Sequence, residues 1–396
     1  MKKIIVITLN LMLCLQLLAQ KQTITWQDTQ REYIIHVPSS WDSTSPRPMM
    51  YVLHGLGVDI SQLDAELNPS FYSNLSGWII VLPQALNASV DALGQHVDIG
   101  TMWNAGLTFE VFNQTFAPNS EVDDEGFLLA LMDSINLQYP IDYDSIYIVG
   151  GSMGGFMTNV MGIKHSDRLA GIAPISGPIP NNVVDSLANT HLDVLYFHGT
   201  NDAVISYEDG STDAIPYIGN VSLGLGAEQT VSWWVKANAC DSVPVVDSLE
   251  DRCEDGLNFV RYKYTNNEDS TKVQFIKAIG GEHTWYMGAN IFDIDYTLEI
   301  YNFFAGKNIP YPNVSSINNT EDYSFAFYPN PTKDNITLSV KEDCNMWIVN
   351  TFGQKLKYRQ LHKGNTKVDV SDLRSGYYIV VFESNNNTTT QKLIIK

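Results

Sequence analysis

Residues 145–155 read SIYIVGGSMGG, and the fold turns on this stretch. An apolar run of strand type closes directly on Gly150-Gly151-Ser152-Met153-Gly154, and an apolar segment of helical type begins at Met153. A GxSxG pentapeptide alone is weak, since a chain of this length yields one by chance about one time in ten. Its placement raises the signal. A strand-to-helix turn this tight needs glycines where side chains would collide, and it lifts the serine hydroxyl above the sheet edge at the positive end of the new helix.

Working outward, MMYVLHG (49–55) and GWIIVLPQ (77–84) read as buried strands, and VDDEGFLLALMDSINLQYP (122–140) as an amphipathic helix. After the pentapeptide come LAGIAPIS (169–176), LDVLYFHG (192–199), a helix near EQTVSWWVKAN (228–238), FVRYKYT (259–265), KVQFIKAIG (272–280) and a closing helix, FDIDYTLEIYNFFAG (292–306). TITWQDTQREYIIHV (23–37) reads as an opening hairpin. Strands alternating with helices predict an α/β domain over 21–306, a mostly parallel sheet wrapped on both faces.

Character changes after Gly306. KNIPYPNVSSINNTEDY (307–323) has linker composition, and residues 324–396 hold 10 Lys and Arg against 6 Asp and Glu, leaving 14 against 38 for the rest. The runs NITLSV, NMWIVN, TKVDVS, GYYIVVFES and QKLIIK predict a small all-β sandwich.

The first twenty residues, MKKIIVITLNLMLCLQLLAQ, join two lysines to a short apolar run, as a cleaved signal peptide does. A retained anchor and a lipoprotein anchor at Cys14 are the alternatives; the run is short for a span, and Leu13 precedes the cysteine where a small residue belongs. Export permits disulfides. A bridge between Cys240 and Cys253, around the polar DSVPVVDSLEDR, would contribute about 3 kcal/mol by loop entropy. No CxxC or paired-His spacing points to a metal. A net charge of −20 argues against nucleic acid or an anionic membrane as partner.

A serine hydroxyl needs a base to take its proton, and the base needs a carboxylate to set its tautomer. Asp202 in HGTNDAVI follows the strand 192–199, and His283 in GGEHTWY follows the strand 272–280, so Ser152, Asp202 and His283 stand in the chain order of α/β hydrolases. Asp202 as a plain turn former is the alternative. Two backbone donors are expected for a developing oxyanion, the N–H of Met153 and that of Leu56 in His54-Gly55-Leu56-Gly57, with the His54 side chain buttressing the loop. The constellation implies acyl transfer without cofactor or metal. A peptidase and a noncatalytic binding protein on the same scaffold are the rival readings.

LHGLG, PQAL, MWNAG, VDDEGFLLALMDSI, IYIVGGSMGGFMT, HGTNDAVISY and GGEHTWY, in this order, resemble the polyhydroxybutyrate depolymerase-like and feruloyl esterase-like group of secreted α/β hydrolases, over residues 22–305. The resemblance implies the α/β-hydrolase fold, the triad Ser152, Asp202 and His283, Trp103 and Asn104 beside the cleft, and Trp285 flanking the base. It implies an ester substrate, polymer-linked: feruloyl esters of plant polysaccharide, with polyhydroxybutyrate or acetyl xylan as alternatives. Glu282, where the group more often shows glycine, and the bulky Met153 depart from the pattern. FYPNPTKDNITLSV, SGYYIVVF and KLIIK resemble the C-terminal sorting domain of the type IX secretion system. That implies the secretion machinery as partner and a secreted or cell-surface location; a carbohydrate-binding or adhesive module is the alternative.

Overall fold

The computed structural model describes residues 21–92, 95–111, 114–186, 190–213, 220–251, 256–287, 292–307, 325–341, 343–350, 355–373, 376–384 and 387–395. The expected signal peptide, Cys253 and nearly all of the expected linker lie outside these residues.

The chain begins with β1 (Gln22–Trp26), β2 (Thr29–His36), β3 (Arg47–Leu53), the short helices α1 (Ile60–Leu67) and α2 (Pro69–Ser76), and β4 (Ile79–Pro83). Two hairpins follow, β5 (Asn87–Ala92) with β6 (Gln95–Thr101) and β7 (Phe109–Val111) with β8 (Gln114–Phe116). Next come α3 (Asp124–Gln138), β9 (Ile141–Gly151), α4 (Met153–Lys164), β10 (Gly171–Ile175) and β11 (Asp193–Gly199). A small pair, β12 (Ser211–Thr212) and β13 (Val221–Ser222), leads to α5 (Ala227–Ala237), β14 (Val245–Ser248), β15 (Asn258–Thr265), β16 (Lys272–Ile279) and α6 (Tyr296–Ala305).

The main sheet runs β1-β2-β4-β3-β9-β10-β11-β16-β15-β14. Its centre, from β4 to β16, is parallel, and the flanking strands are antiparallel. The unbroken apolar runs follow from burial on both faces. Ile146 and Ile148 join one core cluster with Tyr51, Phe127 and Phe156, whereas Tyr147 and Val149 join the other with Val52, Phe197 and Tyr301. Alternate side chains of one strand thus reach opposite layers, and neither layer meets water.

Helix ends follow local chemistry. Asp123 accepts from the Gly126 N–H at 2.8 Å at the start of α3, where Asp124 and Glu125 also complement the dipole. Gly306 closes α6 in the left-handed conformation, which agrees with the change of sequence character there.

Two elements differ from the sequence reading. Between the strand 77–84 and the helix 122–140, where the sequence reading placed no regular element, β5 pairs with β6 and β7 with β8, and β14 lies within the polar stretch after Cys240. Every residue of β14 is exposed, so it has no apolar alternation to betray it; it is an edge strand held by backbone pairing to β15.

The tail contains β17 (Phe325–Tyr328), β18 (Asn335–Val340), β19 (Cys344–Asn350), β20 (Lys355–Leu361), β21 (Gly364–Asp369), β22 (Gly376–Ser384) and β23 (Asn387–Ile395). Two antiparallel sheets, β17-β18-β21 and β20-β19-β22-β23, share one core through Ile336 and Leu338 of the first and Ile348, Val380 and Leu393 of the second. This is the expected β-sandwich.

Candidate active site

Ser152 sits at the turn between β9 and α4 with φ 55° and ψ −119°. A side-chain-bearing residue held there costs on the order of 1–3 kcal/mol, which the surrounding backbone sustains. Its N–H donates to the Ile175 carbonyl at 2.8 Å, and its own carbonyl accepts from Gly155 and Phe156. The outer glycines of the pentapeptide are required by contact. A Cβ on Gly150 would lie 2.3 Å from the Gly154 carbonyl oxygen, and one on Gly154 would lie 2.3 Å from that of Leu53.

Asp202 follows β11 and is fully buried at its side chain. Its Oδ1 accepts the N–H groups of Val204 and Ile205 at 2.9 and 2.8 Å, and its Oδ2 lies 2.7 Å from His283 Nδ1. Burial pushes the carboxyl pKa up, but hydrogen bonds from His198, His283 and the Ile205 amide outweigh it and hold Asp202 well below the ordinary carboxylate range. Asp202 is therefore an anion aimed at His283.

The loops bearing Asp202 and His283 are tied together by backbone. Thr200 N–H donates to Ala278 O at 2.9 Å and Asn201 N–H to Gly281 O at 2.8 Å. Gly280 adopts φ 78°, where a Cβ is disfavoured, and donates to Thr200 Oγ1. Ser152, His283, Gly55, Gly151, Ser176, Thr284 and Trp285 line one cleft of about 160 Å³.

His54 is buried and packs behind that cleft. The Ala85 N–H donates to its Nε2 at 3.0 Å, so a neutral ring carries its hydrogen on Nδ1 and donates to Gly55 O at 2.7 Å. Burial lowers its pKa to about 4. In the loop that follows, Gly57 N–H is engaged with Thr101 O and Val58 N–H with Gly55 O. Gly55 adjoins the nucleophile: a Cβ there would rest in ordinary contact, 3.5 Å, with Ser152 Cβ. Leu56 is 47% exposed on the same loop, and no side-chain cap occupies the N-terminus of α4, where Met153 begins the helix.

Trp103 and Asn104 are not among the residues that line the cleft. Trp103 is 0% exposed, donates from Nε1 to His54 O at 3.0 Å and packs against the His54 ring, so it supports the loop from behind. Asn104 is spent on structure. Its N–H donates to Asp124 Oδ2, its Nδ2 to Val122 O, and its Oδ1 accepts from Gly106 N–H. Asp124 in turn pairs with the buried Arg31. The motif lies near the cleft in space, but its side chains point inward.

Trp285 does line the cleft, with its Nε1 donating to Thr297 Oγ1 at 3.1 Å. Glu282 is exposed, and its N–H donates to the Tyr286 hydroxyl. Ser176 and Thr284 were not singled out from sequence; each directly adjoins an element already assigned, Ser176 at the end of β10 and Thr284 next to His283. Cys240 Sγ lies 3.6 Å from Thr271 O, and burial raises its pKa to about 11; its expected partner Cys253 is outside the described residues. Among the described residues, no group of three His, Cys, Asp or Glu side chains stands together as a metal site, and no helix is long and apolar enough to cross a membrane.

Residues 46–221 match the Phospholipase/Carboxylesterase family, and residues 326–396 match the Secretion system C-terminal sorting domain. Feruloyl esterase B of Piromyces equi is 25% identical over 256 residues, 64% of this chain and 42% of that protein. The protein named "Putative esterase NocK" of Nocardia uniformis subsp. tsuyamanensis is 24% identical over 264 residues, 64% of this chain and 70% of that one. Poly(3-hydroxyalkanoate) depolymerase C of Paucimonas lemoignei is 27% identical over 145 residues, 36% and 30% of the two chains. The chain thus spans less than half the length of the feruloyl esterase and of the depolymerase. It carries a carboxylesterase-type α/β-hydrolase fold followed by a type IX sorting domain, which directs it to the cell surface or the extracellular space.

Proposed function

We propose that the chain is a secreted serine esterase that hydrolyses carboxylic esters through an acyl-enzyme on Ser152, with hydroxycinnamoyl esters of plant polysaccharide as its substrates. The observation that carries the reading is the 2.7 Å contact between Asp202 and His283 at a cleft that also holds Ser152 on its strained turn.

Asp202 accepts the hydrogen bond from His283 Nδ1, which leaves Nε2 unprotonated for the serine proton. Ser152 Oγ attacks the ester carbonyl, and the amides of Met153 and Leu56 receive the oxyanion. His283 returns the proton to the departing alcohol. Water activated by the same imidazole then releases the acid. Trp285 on the cleft wall offers a flat face to a planar acyl group, worth about 0.5–1.5 kcal/mol beyond burial for a well-oriented pair. The name of the Piromyces relative agrees with that acyl class. Export by the sorting domain brings such an enzyme to polymer outside the cell.

The test is a burst of p-nitrophenol from p-nitrophenyl acetate, absent in Ser152→Ala, followed by rates on methyl ferulate, acetylated xylan and polyhydroxybutyrate oligomers. Fastest turnover of methyl ferulate supports the substrate class. Faster turnover of the oligomers moves the reading to depolymerase, and no turnover of any ester overturns it.

A further inference from the structure

We propose that His198 is a positioning residue of this site, donating from Nε2 to the same Asp202 oxygen that holds His283 and so setting how strongly Asp202 retains a proton on His283. The proposal rests on the triad reading above. His198 and Tyr196 are two residues apart on β11, so both project from the same face, and both are buried. The Nε2 of His198 lies 3.0 Å from Ile205 O and 3.3 Å from Asp202 Oδ2. Both are acceptors, so Nε2 carries the hydrogen, which points to Ile205 O with Asp202 Oδ2 within reach beside it. Nδ1 lies 2.6 Å from the Tyr196 hydroxyl, which donates to it.

A neutral ring thus satisfies every contact, and a line of donors runs from Tyr196 through His198 to Asp202. Asp202 Oδ2 is left between two histidines, His283 at 2.7 Å and His198 at 3.3 Å. Each donor draws charge from the carboxylate, so the His198 donation weakens the hold of Asp202 on a protonated His283.

Few other ionisable groups face this cluster. Tyr207 meets the His198 ring edge-on at 5.7 Å and donates its hydroxyl to Glu228 of α5. Lys277 of β16 lies over the Tyr207 ring and pairs with Glu228 at 3.0 Å, which balances that charge. Glu282, beside His283 in sequence, is exposed, and Tyr262 of β15 stacks on Phe275.

The experiment compares wild type, His198→Leu, His198→Gln and Tyr196→Phe by the pH profile of kcat/KM on p-nitrophenyl acetate. Loss of the donor in His198→Leu is expected to move the acidic limb upward by roughly half a pH unit or more, because the freed carboxylate stabilises the imidazolium. His198→Gln, whose amide places a donor near the Nε2 position, returns the limb most of the way. Tyr196→Phe leaves both Nε2 contacts and moves it least. A residue that merely packs would let Asp202 loosen, and the limb would then stay or fall; either result in an active His198→Leu enzyme overturns the proposal.

Should His198→Leu not fold, nitrogen NMR of wild type with labelled histidine decides: Nε2–H with a bare Nδ1 is the expected tautomer, and Nδ1–H or a doubly protonated ring overturns it. Full activity in Ser152→Ala would instead remove the triad reading itself, whereas Ser152-dependent activity with an unmoved limb removes only the role of His198.

Discussion

Gly199 and Gly281 meet backbone to backbone: a Cβ on Gly199 would lie 2.2 Å from the Gly281 carbonyl oxygen. This contact lets the loop after β11, which carries Asp202, close against the loop after β16, which carries His283. Gly199→Ala must therefore push the acid and base loops apart. The expected outcome is a loss of at least about 2 kcal/mol of stability, as for other overpacked sites, together with a fall of tenfold or more in kcat. Chemical unfolding and steady-state kinetics check it; wild-type values of both in the Gly199→Ala enzyme would show that the contact is not needed.

The two tryptophans expected at the cleft should separate. Trp285→Ala lowers kcat/KM more for methyl ferulate than for an acetyl ester, because Trp285 faces the cleft. Trp103→Ala lowers both alike and costs about 3–5 kcal/mol of stability, the usual loss for a large buried aromatic. Matched losses on the two esters in Trp285→Ala would remove the stacking argument.

His54 gives a pH dependence of defined sign. Its pKa in the folded protein is about 4 because of burial, against the ordinary 6.5 of an unfolded histidine. Between those values the unfolded chain binds a proton that the folded chain refuses, so stability falls as pH drops from about 6.5 to about 4 and rises in the other direction. The full difference is on the order of 3 kcal/mol. His54→Asn cannot titrate, so the stability of wild type relative to this variant should decline through that window. Parallel curves for the two proteins would contradict the assignment.

A chain ending at Gly306 is expected to fold and hydrolyse esters, since the tail has its own core of Ile336, Leu338, Ile348 and Val380. In a host with the secretion system it should accumulate in the periplasm. Equal export of the shortened and full chains would count against the role given to the tail.

The sequence by itself determined what depends on local chemistry and chain order. Apolar runs such as Ile146 to Val149 declared a sheet buried on both faces, because a strand with no polar side has nowhere to meet water. Gly150, Ser152 and Gly154 declared a tight turn, and Asp202 and His283 followed in order after later strands. The tertiary structure alone decided which way side chains point. Trp103 and Asn104 sit in a motif near the cleft yet face inward, held by His54 O and by Asp124, a carboxylate paired with Arg31 from a strand far away in the chain. His198 was passed over for the same reason: adjacency to Asp202 arises when the turn after β11 folds back, and spacing in the chain carries no record of that distance. β14 escaped notice because an exposed edge strand is held by backbone hydrogen bonds, which leave no pattern in the side chains.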